Sequence, residues 1–391
     1  MNGLRWRFIS TLTAVLFLLT SCGGDKIKIG VIIPQEGTLG DYGYQIRSGI
    51  ELAYKNLDTS DKRREYELIW EIEESDLDKV EEAFERLRKA GVQAIIGAAS
   101  SAATMRLAPL ANKHKIILLS PASSSPEINE GSGDFIFRNH PSDTLEAQKL
   151  SNVIFQKARL QKVLMVRAQD AYSEGITFEL LKFARQNSDR LPNEVVKFSH
   201  NPADVDWTSV VDRIVEIKPQ GVFLAAYHDA LVPLLKEIRA REALNKTYIF
   251  TSSSLIVDEA VKELGPEGLE GIIFTGYHWD PMENKPEILE FTEKFKADHH
   301  ADPTLFAATG YDAFNILVTV FEETDHVIPD DLRARFNKEP FKGILGETDF
   351  SKRGDITRIP VVYTVEDGSK VELRAEVIDK IKDDILTRLE D

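Results

Sequence analysis

Ile27-Lys28-Ile29-Gly30-Val31-Ile32-Ile33 is an apolar run of strand length, and a glycine-rich turn, Gly37-Thr38-Leu39-Gly40-Asp41-Tyr42-Gly43, follows it closely. Ile46, Ile50, Ala53 and Leu57 then recur at helical spacing. A buried strand, a tight turn and an amphipathic helix are the opening unit of a parallel sheet covered by helices. The unit repeats. Residues 68–72, 92–96 and 116–119 read as further strands, and Val80, Phe84, Leu87 and Ala90 form a helix face that Gly91 stops. After a connection around residues 139–143 the plan restarts at 163–166 and continues through strands at 195–198, 222–226, 248–250 and 272–274. Helices carrying Trp207, Val211 and Ile214, then Leu231, Leu234 and Ile238, lie between them.

The expected fold class is therefore α/β, with two doubly wound parallel-sheet lobes and a cleft between them. A chain of 391 residues also exceeds what one hydrophobic core usually spans. In open parallel sheets small ligands collect at the carboxyl ends of the strands, so the residues just after each apolar run carry the functional reading.

The first residues supply an address. Arg5 and Arg7 precede an almost wholly apolar stretch at 12–19, and Leu19-Thr20-Ser21 leads into Cys22, the chain's only cysteine. This reads as a secretory signal peptide, residues 1–21, ending in a lipidation site at Cys22 with a linker at 22–25. The apolar stretch is about half the roughly 20 residues a spanning helix needs. A lipid on Cys22 is thus the expected membrane tether; the alternative is a free cysteine beside an ordinary signal. The formal net charge of −16 becomes −18 once Arg5 and Arg7 leave with the signal, which argues against a nucleic-acid partner. One thiol forms no disulfide within the chain.

Small hydroxyl residues crowd the strand ends of the first lobe: Gly97-Ala98-Ala99-Ser100-Ser101 and Ser120-Pro121-Ala122-Ser123-Ser124-Ser125-Pro126. In the second lobe they read Asp170-Ala171-Tyr172-Ser173-Glu174-Gly175, Tyr227-His228-Asp229 and Thr251-Ser252-Ser253-Ser254. Hydroxyls and backbone N–H groups at helix starts suit capture of a small anion or carboxylate, whereas a lone strand-end serine more often caps the next helix. The G-x-x-G-x-x-G spacing of Gly37, Gly40 and Gly43 differs from the dinucleotide motif, and no nucleophile elbow, zincin helix or phosphate loop occurs. His299-His300 with Asp298 and Asp302 reads as a solvated charged patch, because adjacent helical histidines point apart. No cofactor, metal or catalytic residue is expected.

Taken in order and spacing, these segments resemble the type I periplasmic solute-binding proteins of ABC transporters, in particular the branched-chain amino acid (Leu/Ile/Val) group. The likeness rests on residues 27–31, the turn with Tyr42, the Ser101 loop, residues 120–127, Phe137-Arg138-Asn139-His140-Pro141-Ser142-Asp143, Tyr172-Ser173-Glu174-Gly175, Gly310-Tyr311-Asp312-Ala313 and the stretch 341–355. It implies a periplasmic binding protein-like I fold with a multi-strand hinge, lobe 1 comprising 26–141 plus 276–347 and lobe 2 comprising 142–275 plus 348–391. It implies a ligand carboxylate held by Ser101, the Ala122 backbone and Ser124, with Tyr42, Tyr172, Tyr227 and Trp279 as aromatic walls. The acid that receives the ligand's ammonium group in amino-acid binders falls at Ser253 here. Either Asp143, Asp229, Asp280 or Glu174 substitutes, or the ligand lacks an ammonium group.

The implied function is binding, not catalysis. A small amino acid, carboxylate or amide would be enclosed by hinge closure and passed to an ABC permease in the inner membrane. The protein would be a monomer at the cell envelope, facing the periplasm or the exterior. A lipoprotein sensor or scaffold with the same two lobes is the first alternative. A secreted hydrolase using His140 or His228 is the second.

Overall fold

The computed structural model describes residues 26–390 apart from 75, 131–133 and 188–193. Cys22, the signal at 1–21 and the linker up to residue 25 lie outside the described residues. Five parallel strands form the first sheet: β1 (Ile27–Ile33), β2 (Tyr66–Ile72), β3 (Ala94–Gly97), β4 (Ile117–Ser120) and β5 (Ile136–Arg138), in the order β2-β1-β3-β4-β5. The second sheet contains β6 (Val163–Ala168), β7 (Glu194–Phe198), β8 (Gly221–Ala225), β9 (Tyr248–Thr251) and β10 (Ile273–Gly276), all parallel. A small ribbon, β11 (Phe341–Gly343) with β12 (Gly346–Thr348), precedes β13 (Val361–Glu366) and β14 (Ser369–Glu372), which complete the order β14-β13-β10-β9-β8-β6-β7.

The strands are continuous apolar runs because both faces of each sheet are covered. Ile29, Val31 and Ile33 pack with Ile46, Ile50 and Phe314 on one face of β1, while Ile32 packs with Val80, Phe84 and Leu87 on the other. In the second sheet Leu164 and Val166 join one core, Val163 and Met165 the opposite one. This sheet is not wholly parallel as the sequence led us to expect. β13 runs antiparallel to β10 and turns into β14 through Asp367 (φ 49°) and Gly368 (φ 75°), the two left-handed positions a tight hairpin requires.

The chain crosses between sheets between β5 and β6, again after β10, and a third time between Ile356, in the first core, and β13 in the second sheet. On the first lobe, helix Gly40–Lys55 crosses helix Leu305–Glu323 backbone to backbone. A Cβ on Gly49 would stand 1.9 Å from the Ala307 carbonyl oxygen, and one on Gly310 would stand 2.3 Å from that of Ile46. Neither helix can retreat without opening the core around Phe314. Gly310→Ala is therefore expected to cost about 1–3 kcal/mol by overpacking, read as a lowered denaturation midpoint with an unchanged denaturant slope.

Candidate functional site

Both sheets reverse their winding beside the strand that begins them, at β1 between β2 and β3 and at β6 between β7 and β8. The loops leaving the carboxyl ends of β1, β3, β4, β6, β8 and β9 border a cavity between the lobes. Ser101, Ala122, Ser124, Tyr42, Tyr172, Tyr227 and Ser253 all line it. Leu39, Ala99, His140, Ser254 and Phe306 complete the wall.

The hydroxyl-rich side divides into structural and available groups. Ser100 caps helix Ser101–His114, accepting from the Ala103 N–H at 3.1 Å. The Ser120 hydroxyl donates to the Ala98 carbonyl at 2.6 Å, and the buried Ser123 hydroxyl lies 2.6 Å from Thr104 Oγ1 and within reach of the Ala98, Ala99 and Ser100 carbonyls. These pin the turn after β3 and do not line the cavity. Ser101 Oγ accepts from the Ser125 N–H at 3.2 Å, which leaves its own hydrogen to donate. Ser124 and the backbone of Ala122 border the cavity beside it. Glu73 carries a carboxylate into this region from within the protein: it accepts from the Ala99 and Ser100 N–H groups at 2.6 and 2.9 Å, and burial pushes its pKa up to about 7.

The opposite side is aromatic. Tyr172 stacks on Tyr227 with ring centroids 4.9 Å apart, and its hydroxyl bonds the Ser252 hydroxyl. Tyr42, on the first-lobe helix, stands edge-on to Phe306 at 4.7 Å. Its hydroxyl reaches the other lobe, donating to the Ser254 carbonyl at 2.6 Å and accepting from the His228 N–H at 3.0 Å. That one oxygen bolts the lobes together. Tyr42→Phe is expected to leave a buried donor and a buried acceptor unmatched in the closed form, a cost of about 1–3 kcal/mol. In an open form both groups meet water, so the variant should show a larger radius of gyration by small-angle scattering and weaker ligand binding in proportion.

Of the acids considered from sequence, none sits at Ser253. Glu174 pairs with Arg167 at 2.7 Å, Asp280 accepts the Met282 N–H at 2.9 Å outside the cavity, and Asp229 lies at the start of helix His228–Arg239. Asp143 is fully buried behind Ser124, whose carbonyl accepts the Asp143 N–H at 2.9 Å. Burial, and next the neighbouring Glu146, push the Asp143 carboxyl well above the usual carboxylate range; the Ser124 hydroxyl and Arg138 oppose them. The acid beneath Ser253 is Glu146, one helical turn beyond Asp143. It accepts from the Ser253 N–H at 3.0 Å, the Ser253 hydroxyl at 2.7 Å and the Thr275 hydroxyl at 2.8 Å.

Trp279 does not line the cavity. Its indole N–H donates to the Pro303 carbonyl at 2.8 Å and its ring packs edge-on against Phe291, so it serves the core of the crossing segment and one wall of a neighbouring groove. Phe306 is a wall residue that the sequence reading did not name, and His140 was named as a functional residue only for the hydrolase alternative. His140 lay inside the segment quoted for the resemblance, but its side-chain direction is set by the crossing itself.

Two lobes, crossovers between them and a polar-and-aromatic cavity at their strand ends define a solute-binding clamshell. The periplasmic binding protein family model matches residues 26–369, and the chain belongs to that family, in its type I, branched-chain amino acid group. It is a family of substrate-binding proteins and not of enzymes. A leucine-, isoleucine-, valine-, threonine- and alanine-binding protein of Pseudomonas aeruginosa is 20% identical over 95% of this chain and 97% of its own. The crystal structure of a leucine binding protein from Thermotoga maritima superposes with a TM-score of 0.77 at 23% identity, covering 89% of this chain and 98% of that one. An R. palustris solute binding protein of an ABC transporter, in complex with benzoate, reaches 0.78 at 19% identity over 89% and 95%. At these identities the structural likenesses establish the fold.

Proposed function

We propose that the protein captures a small amino acid, or a related carboxylate or amide, in the interlobe cleft by hinge closure and delivers it to an ABC permease. The observation that carries this reading is the polarity of the cavity. Hydroxyl donors at Ser101 and Ser124 form one pole, and Ser253 with the buried Glu146 behind it forms the other. A carboxylate suits the first pole and a nitrogen cation the second. Of the relatives named above, two are leucine binders by name and one was solved in complex with benzoate; both ligands carry a carboxylate, and only leucine carries the ammonium group. The buried Glu146 behind Ser253 supports a ligand of the first kind.

The proposed setting is the outer face of a membrane, with the lipid on Cys22 as tether. No helix among the described residues is long and apolar enough to cross a bilayer. The test is a thermal-unfolding screen of the protein against amino acids, small carboxylates, amides and short peptides. A true ligand at 100 times its dissociation constant is expected to add about 2.7 kcal/mol, and Ser101→Ala is expected to abolish the shift. A panel without a single shift would remove the solute-binding reading.

A further inference from the structure

We propose that His140 is a specificity-determining residue of the cleft, a neutral acceptor that takes an N–H from the ligand's nitrogen. The inference rests on the solute-binding reading above and names the group the ligand must carry.

His140 lines the cavity yet is only 2% exposed. Its Nδ1 lies 3.1 Å from the Pro141 carbonyl oxygen. A carbonyl only accepts, so the ring proton is assigned to Nδ1 and Nε2 is left with its lone pair. That Nε2 has no hydrogen-bond partner among the described residues. The ring is held in place: it lies parallel to Phe306 with centroids 6.0 Å apart, and edge-on to Tyr277 at 5.5 Å. Burial first, and then the nearby charges of Arg358 and Arg138, lower its pKa to about 4 against the opposing hydrogen bond to Pro141, so the ring stays neutral at ordinary pH. A fixed, buried, unmatched acceptor in a cavity wall favours an occupant that brings a donor to it.

Glu146 does not fill that role by direct contact. Its two oxygens already take three donors, from Ser253 twice and from Thr275. Glu146 therefore supplies negative potential through Ser253, while His140 supplies the lone pair that the ligand's N–H meets. The proposed nitrogen site thus combines a charge set back from the cavity, acting through Ser253, with an uncharged, unpartnered acceptor on a ring of the cavity wall. An N–H donor satisfies it; a keto oxygen at the same place sets two acceptors against each other.

The experiment is calorimetric titration of the full chain with amino acids, each paired with the 2-oxo acid of the same carbon skeleton, in wild type, His140→Phe and His140→Gln. In wild type the 2-oxo acid is expected to bind about 5- to 150-fold more weakly than its amino acid. His140→Phe keeps the flat ring against Phe306 and removes the acceptor, so it should weaken the amino acid by a comparable factor and leave the 2-oxo acid nearly unchanged. His140→Gln, whose side-chain oxygen accepts, should restore part of the gap. Equal binding of both members of each pair in wild type, or equal loss of both in His140→Phe, overturns the proposal while the solute-binding reading stands. If no member of any pair binds, both fall.

Discussion

Glu146→Gln is expected to weaken binding of a dipolar amino acid about 100-fold and to leave carboxylates without an ammonium group almost unaffected. The magnitude follows from distance and dielectric. A ligand cation seated on Ser253 lies one hydrogen-bonded layer, about 5–6 Å, from the Glu146 charge, and at an effective dielectric constant near 20 the pair is worth about 3 kcal/mol. Arg138, also buried, is already engaged with Asp355 and the Ser125 carbonyl, so it does not stand in for the ligand as a counter-ion to Glu146. The amide also turns donors toward donors: the Ser253 N–H and the Ser253 and Thr275 hydroxyls now point at a carboxylate, and only some can be reoriented. The apo protein should lose about 1–3 kcal/mol on that account. Comparing leucine with benzoate in wild type and variant separates the two effects. A variant that loses both ligands equally would show that Glu146 merely supports the Ser253 loop, and the proposed polarity of the cavity would be wrong.

The position of Ser101 and Ser124 on the cavity wall was legible in the sequence because it is local. Ser101 and Ser124 follow apolar runs directly, and the carboxyl end of a parallel strand is where such residues meet a ligand. The acidic pole was not, because its parts come from separate stretches of chain. Glu146 is 107 positions from Ser253 and 129 from Thr275, and only the first crossing between lobes brings them together. The chain showed an acid missing after β9; the replacement comes from the first turn of helix Asp143–Ser151. Helical spacing from Asp143 to Glu146 was the one local signal, since both fall on the buried face. Strand detection failed for similar reasons. β5 has three residues, too few for any periodicity, and β13 with β14 is half-exposed, so neither shows the continuous apolar run that marks β1 or β6. Trp279 sits off the cavity wall, and an aromatic at a crossing reads the same from sequence whether it faces ligand or core.

Arg138→Met is expected to destabilise the protein by about 3 kcal/mol, the largest single loss of stability we expect. The guanidinium is 1% exposed at the end of β5, donating from Nε to Asp355 at 2.5 Å and from Nη1 to the Ser125 carbonyl at 2.7 Å. Methionine keeps much of the side chain's volume, so the cost is electrostatic and not a cavity. Removing one partner of a buried pair costs about 3–5 kcal/mol, and the Asp355 side chain, 29% exposed, is partly compensated by water, which places the value at the lower end. Two further consequences follow from position. The charge of Arg138 opposes the rise that burial and Glu146 impose on the Asp143 carboxyl, so the variant should push that carboxyl higher still. The residue also stands two places before His140, so slackening β5 should blur the ring's seat between Phe306 and Tyr277. A double-mutant cycle with Asp355→Asn, followed by denaturant titration, measures the coupling directly. A coupling of about 1–3 kcal/mol is expected for contacting charged groups. If the cycle closes near zero while Arg138→Met alone remains costly, the loss belongs to the Ser125 carbonyl and the packing around β5, and the ion pair contributes nothing.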